Sequence, residues 1–376
     1  MNKMNYLKIN FFALIAFAVT LSACKKDRAE RDYERQLVGT NGIYVLSEGD
    51  WNQANPTISY YDIEKKTTVK DYYRQVNGTG LGETANDLQA YGNKMYCVVT
   101  GVEGKAQSFV DVMDVKTGKS IKRIPFNTTN NGFLPRYITF YKNKAYVSRY
   151  DGAISRIDTA SLNVDGELQL KNGANNAGGL EGLAVANGKL YVTNSAHPSY
   201  PTSLKSKVTI VDLATFTKSK DIEVGNNPVR ISAASNGDLY VITWNDWVTF
   251  NDPTLVRISS TTDAVTQTEA NTDLGAINIV GTQAWVTKDV YSSPSIKALN
   301  LATGKLGSNL ITDATAIATP YGITINPFDD SVVVGDSGSS KAFVFGKDGK
   351  LKYSFETGSN PQAAVFNHRY AFVSKD

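Results

Sequence analysis

The chain is poor in the side chains that carry most enzyme chemistry. Its 376 residues include two histidines, His197 and His368, and two cysteines, Cys24 and Cys97. The histidines stand far apart and no His-x-x-x-His spacing occurs, which argues against a histidine-rich zinc site. A hydrolytic triad needs a histidine beside its nucleophile, and none is placed for it. No Asp-x-Asp-x-Asp-Gly calcium loop is present. Charge is nearly balanced, at +3 for the whole sequence. It falls to +1 once Lys3 and Lys8 of the first 23 residues are subtracted, so the basic stripe of a nucleic-acid binder is missing. These absences favour binding over catalysis.

The N-terminus reads as an address. Lys3 and Lys8 precede an apolar run, Phe11 to Leu21, too short to span a bilayer as a stable helix. It ends in Leu21-Ser22-Ala23-Cys24, which resembles a bacterial lipoprotein box. In that class the signal is cut before the cysteine, which then carries lipid. The expected organisation is a signal peptide at 1–23, a lipidated flexible tether at 24–40 and one domain at 41–376. With Cys24 acylated no disulfide can form, and Cys97, in Met95-Tyr96-Cys97-Val98-Val99, is expected to be a small buried hydrophobe.

What the chain has in abundance is a repeat. A unit of about 45 residues returns along the sequence, clearest from Leu180 to Gly225. It reads as four short antiparallel strands. An aromatic or apolar residue in the second strand sets the register: Tyr44, Tyr96, Tyr146, Tyr191, Tyr240, Trp285, Val333 and Phe372. The next strand often ends in a hydrophobic-Asp step, as in Tyr61-Asp62, Met113-Asp114, Ile157-Asp158 and Val211-Asp212, whose carboxylate can accept from its own turn. A four-strand unit of this period is the pattern of a β-propeller blade. The predicted fold is all-β, a seven-bladed β-propeller of four-stranded antiparallel blades. The seventh blade is closed by strands from both termini, which removes exposed sheet edges. Tyr44 and Phe372 both occupy the second-strand register, which leaves eight blades open.

The register places side chains at one end of the ring. Ten residues before the register position, early in each innermost strand, stand Asn86, Arg136, Glu181, Arg230, Gly275 and Gln362, with Tyr321 nearby in the remaining unit. Four residues after it, where the second strand exits, stand Glu48, Thr100, Tyr150, Ser195, Trp244, Asp289 and Asp376. First-strand starts and second-strand ends share one face of an up-and-down blade. Three of the four tryptophans, Trp51, Trp244 and Trp247, join that layer with Tyr200 and Tyr291. Aromatics mixed with amides and charges suit a large amphipathic ligand or a protein. The candidate ligand-binding residues are Glu48, Trp51, Asn86, Arg136, Tyr150, Glu181, Asn194, His197, Arg230, Trp244, Trp247, Asp289, Tyr291, Tyr321 and Gln362. No catalytic or metal-binding residue is assigned. The string Gly335-Asp336-Ser337-Gly338 matches a protease nucleophile stretch, but the repeat accounts for it as a polar loop.

Leu190-Tyr191-Val192-Thr193-Asn194 contains the signature of the YVTN family of propellers. The lipoprotein box, the opening Asn41-Gly42-Ile43-Tyr44-Val45-Leu46-Ser47-Glu48-Gly49 with Asn52, and the blade start Asn227-Pro228-Val229-Arg230 together resemble the surface cobalamin-binding lipoproteins of Bacteroidetes, the BtuG type. That resemblance implies a seven-bladed propeller that captures cobalamin outside the cell. It also implies handover to a TonB-dependent outer-membrane transporter, a lipid anchor in the outer membrane at the cell surface, and cobalamin as ligand with no cofactor. Two other readings stay open: a calcium-dependent propeller lactonase or other hydrolase, and a protein- or glycan-binding scaffold. Carboxylates at Asp329-Asp330 and at Asp246 are the residues a calcium ion would use.

Overall fold

A computed structural model describes residues 33–50, 55–196, 199–245 and 252–374. The chain divides into two compact units. One, Gly39–His368, holds the seven blades. The other comprises Met1–Val38 with Arg369–Asp376. In its described part the Arg35 guanidinium lies 3.7 Å from the ring centre of Tyr370.

Seven four-stranded antiparallel sheets form a seven-bladed β-propeller. Blade one consists of Ala85–Tyr91, Lys94–Val99, Phe109–Asp114 and Ser120–Pro125. Blades two to six follow in chain order, with innermost strands Pro135–Tyr141, Leu180–Ala186, Pro228–Ala233, Leu274–Val280 and Pro320–Ile325. Blade seven takes Pro361–Ser374 as its innermost strand and Tyr33–Ser47, Thr57–Asp62 and Thr67–Val69 as the other three. Among the described residues, strand structure is present from Tyr33 onward.

One expectation about closure is overturned. Phe372 holds a second-strand position in the register, which requires the C-terminal segment Pro361–Ser374 to turn before it. The segment is instead one unbroken strand to Ser374. Asn367-His368-Arg369 supplies neither glycine nor proline to break it, and the neighbouring strand Tyr33–Ser47 is long enough to accompany it. The imidazole Nδ1 of His368 lies 3.2 Å from the Thr40 hydroxyl, within hydrogen-bonding distance. Tyr44 therefore owns the second-strand position alone, and the count is seven.

The register residues behave as their pattern requires. Tyr44, Tyr96, Tyr146, Tyr191 and Tyr240 are all buried, as is Val333, while Trp285 is half-buried. Each sits between two adjacent blades, and the seven apolar clusters of the propeller correspond to the seven blade interfaces. Cys97 is fully buried in one of them. Two register tyrosines also reach across: the Tyr191 hydroxyl donates to Asp263 and the Tyr240 hydroxyl donates to the Leu301 carbonyl. Burial of large apolar and aromatic surface between blades is the main stabilising term.

Turn chemistry follows the hydrophobic-Asp step. Asp114 accepts from the backbone N–H groups of Lys116 and Thr117, at 3.0 and 2.9 Å. Asp158, Asp212 and Asn300 accept from the corresponding residues of their own turns. The residue directly after the second of those donors enters the left-handed region, as at Gly118 and Gly304 with φ of 69° and 68°. Asp336, in the protease-like string, has the same kind of duty. It is buried and accepts from the Thr319 and Gly338 N–H groups and the Ser339 hydroxyl.

Candidate ligand-binding site

A single hydrogen bond, repeated in every blade, builds the layer that carries the site. The residue four positions after the register residue donates its N–H to the carbonyl just ahead of the innermost strand. Glu48, Thr100, Tyr150, Ser195, Trp244, Asp289 and Ser337 donate to Asn360, Thr84, Leu134, Gly179, Asn227, Asp273 and Thr319, at 2.8–3.0 Å. Six of the seven acceptors have left-handed φ, from 40° at Asp273 to 81° at Gly179, with Thr319 the exception. The seventh donor is Ser337, whereas Asp376, expected in this ring, lies outside the described residues. The bond fixes first-strand starts and second-strand ends at one end of the propeller.

The innermost strands then bulge. Pairing with the second strand is irregular between Ala85 and Asp87, Pro135 and Ile138, Leu180 and Leu183, Pro228 and Arg230, Leu274 and Ile277, and Pro320 and Gly322. A bulge re-aims side chains out of simple alternation. It turns polar groups toward the axis, where strands from all seven blades line a channel of about 400 Å³. The channel is narrow because neighbouring strands touch there. A Cβ added to Gly322 would stand 2.3 Å from the Gln362 carbonyl oxygen.

Most of the expected residues meet at this mouth. Arg136 pairs with Glu181 at 3.1 Å, and Tyr150 donates its hydroxyl to the other oxygen of the same carboxylate. The Arg136 guanidinium also lies 4.6 Å from the Tyr150 ring centre. Tyr321 donates to Glu48 at 2.5 Å. Arg230 stands 5.6 Å from the ring of Trp244, whose indole N–H donates to the Leu274 carbonyl at 2.8 Å. Asn86 donates to the Arg136 carbonyl at 2.7 Å, and Gln362 donates to the Ala85 carbonyl at 3.0 Å, so both also join adjacent blades. Asp289 has a left-handed φ of 49° and pairs with Lys288, and Tyr291 on the same loop is 85 % exposed.

Burial governs the titration of these groups. Burial raises the hydroxyls of Tyr150 and Tyr321 above the usual tyrosine range, and the carboxylates of Glu181 and Glu48 push the same way. For Arg136, burial works against the charge, but Glu181, Tyr150 and Glu48 outweigh it and hold the pKa up. For Arg230, burial dominates and the pKa falls. An arginine stays charged after such a shift, so Arg230 carries an incompletely compensated positive charge.

Asn194 is placed elsewhere. It is fully buried inside blade three with its amide toward Thr209, at 3.4 Å, because the last residue of the second strand points between blades rather than toward the mouth. Trp51, His197, Trp247, Asp246 and Cys24 lie outside the described residues. Asp329 is engaged by Ser331 and Lys352. Among the described residues no three His, Cys, Asp or Glu side chains gather as metal ligands do.

Two residues were missed. Tyr137 lies between the two arginines, its ring centre 5.9 Å from Arg136 and 4.9 Å from Arg230. Asp87 is buried in the channel wall, accepts from the Ile138 N–H and the Gln89 amide, and is pushed up to about 6 by burial. Both directly follow a residue that the register singled out. Counting one side chain per blade overlooked that a bulge can present two.

Residues 41–372 match the family described as Domain of unknown function (DUF5074). The chain belongs to this family. Solved structures share the propeller at low identity. A quinonprotein alcohol dehydrogenase-like protein from Bacteroides thetaiotaomicron is 19% identical, with a TM-score of 0.61, covering 88% of this chain and 79% of that one. A putative 6-phosphogluconolactonase from Bacteroides uniformis is 13% identical, with a TM-score of 0.62, covering 87% and 99%. The periplasmic gluconolactonase of Pseudomonas aeruginosa is 13% identical, with a TM-score of 0.58, covering 86% and 99%. No curated protein sequence matches the chain. At these identities the likeness is one of fold.

Proposed function

We propose that this DUF5074 propeller is a lipid-anchored outer-membrane protein that captures cobalamin at its channel mouth and passes it, unchanged, to a TonB-dependent transporter. The observation that carries the reading is the convergence at one end of the channel of Arg136, Arg230, Tyr137, Tyr150, Trp244 and Tyr321. Flat rings beside guanidinium and amide donors suit a ligand with a wide ring system and many amide arms. Such a face is preformed, so little ordering entropy opposes binding. A bulky ligand rests across the mouth, since the channel beneath it holds only about 400 Å³. The lipoprotein box at Leu21-Ser22-Ala23-Cys24 supports the anchor, and the resemblance of the opening segment to cobalamin-binding lipoproteins supports the ligand and the transporter.

Equilibrium titration with cobalamin, followed by tryptophan fluorescence, tests the ligand. Saturable quenching is expected, weakened at least about tenfold in Trp244→Ala with the fold retained. Absence of binding at micromolar cobalamin removes this reading. A hydrolase is the second reading, motivated by the gluconolactonases among the structural relatives and by Glu48 and Glu181 at the mouth. Both carboxylates accept from tyrosines there, an arrangement suited to orienting groups as well as to acid–base work. Turnover of a sugar lactone lost in Glu181→Gln would favour it.

A further inference from the structure

Gly39–His368 contains seven arginines, and six of them have a carboxylate within 4.0 Å. Arg74 has Asp71, Arg123 has Asp111, Arg136 has Glu181, Arg149 has Asp151, Arg156 has Asp165 and Arg257 has Asp238. Arg230 is the exception: among the described residues no carboxylate and no hydrogen-bond acceptor meets its guanidinium. Its neighbours are instead the rings of Tyr137 and Trp244, with centres at 4.9 and 5.6 Å. It lines the channel cavity. Glu48 and Asp87 act on it only from longer range. A charge removed from bulk water and met by no carboxylate at close range is costly, and folds seldom keep one without use.

We propose that Arg230 anchors an anionic oxygen group of the ligand, a phosphate ester or a carboxylate, bound at the channel mouth between Tyr137 and Trp244. The inference rests on the reading of this mouth as a binding face. A guanidinium fork offers parallel N–H donors that match two oxygens of either group. The flanking rings displace water and so strengthen the pairing. Both rings also attract the guanidinium charge without supplying a carboxylate for its N–H donors. Arg136 cannot substitute, because Glu181 already neutralises it. On a cobalamin the group in question is the phosphodiester of the nucleotide tail.

The test titrates the full chain with dimethyl phosphate, inorganic phosphate and acetate, at an ionic strength held constant with chloride. Trp244 reports through tryptophan fluorescence. Saturable binding of at least one oxyanion is expected, weakened about tenfold or more in Arg230→Gln and partly recovered in Arg230→Lys, with thermal midpoints confirming that both variants fold. The phosphate and acetate arms assign the source of the anion. No saturable response to any of the three, or equal affinity in Arg230→Gln and the parent, overturns the proposal. The probes carry no corrin, so the two readings fail separately. Oxyanion binding without cobalamin binding removes the proposed ligand and leaves the role of Arg230 standing. Cobalamin binding that Arg230→Gln leaves unchanged removes that role and leaves the ligand.

Discussion

Two buried clusters of charge in Gly39–His368 are built in opposite ways. In blade one, Asp111 is fully buried and accepts from the hydroxyls of Tyr73 and Ser120, both at 2.5 Å, and from Arg123 at 3.1 Å. Arg123 donates also to the Tyr73 hydroxyl, at 2.7 Å, and covers the Phe109 ring. Every strong group in that cluster is answered, and the result ties the short helix Tyr72–Asn77 to the blade. At the channel mouth, Arg136, Glu181 and Tyr150 close on one another in the same manner, but Arg230 stays open between two rings. A closed cluster is complete as folded, and serves the fold. An open one at the rim of a channel is completed only by something that arrives.

The comparison can be broken by substitution. The largest effect is expected from Asp111→Ala, which strands the Arg123 guanidinium and two hydroxyls. A loss of about 3 kcal/mol is expected from the denaturation midpoint, because the buried Tyr73 hydroxyl loses its acceptor while Arg123, 40 % exposed, regains water, with ligand affinity of the folded fraction unchanged. A loss below about 1 kcal/mol would show that the cluster is not the clasp it resembles.

Asp87 sharpens the picture through pH. Its folded pKa of about 6 lies above the ordinary carboxyl value, so between pH 4 and 6 the folded chain binds more protons than the unfolded one. The stability contributed by protonated Asp87 is full below pH 4 and is lost as pH rises through 6, by roughly 3 kcal/mol. Asp87→Asn should flatten that segment of the stability–pH curve. An unchanged slope would place the charge of Asp87 in better solvation than its burial implies.

Glu181→Gln removes the counter-charge of Arg136 while keeping an acceptor for Tyr150. A loss of about 2 kcal/mol is expected, smaller than in the first cluster because the amide oxygen of the substituted side chain can still accept from Arg136 and Tyr150. Smallest of all is the stability change for Arg230→Gln, expected within about 0.5 kcal/mol, since the lost attraction to the Tyr137 and Trp244 rings is offset by relief of a poorly compensated charge. A loss above about 2 kcal/mol would move Arg230 into the closed class and take away the contrast.

Much of this could be read from the chain before any coordinate. Tyr44, Tyr96, Tyr146, Tyr191 and Tyr240 announced the period, because a residue buried between blades must recur once per blade. The turn carboxylates Asp114, Asp158 and Asp212 were legible because an Asx turn is a local event. The mouth was legible where the same local geometry repeats, which is why Arg136, Glu181, Arg230, Trp244 and Tyr321 came out on one end. Asn194 was misplaced because strand alternation alone does not say which face looks between blades. Tyr137 and Asp87 were missed because a bulge adds a residue that a fixed spacing skips.

By itself the sequence decided the sheet class, the repeat, the turns and the end of the ring where polar groups collect. Each of these follows from contacts within about 45 residues, repeated. Only the tertiary structure decided how the ring closes, with Pro361–Ser374 as one innermost strand beside Tyr33–Ser47, and which charges are answered. Those depend on groups brought together from separate blades, such as Tyr321 with Glu48, and on which guanidinium lines the channel with no carboxylate at close range among the described residues. Pairing across the axis is a property of the closed ring, and no local stretch of chain contains it.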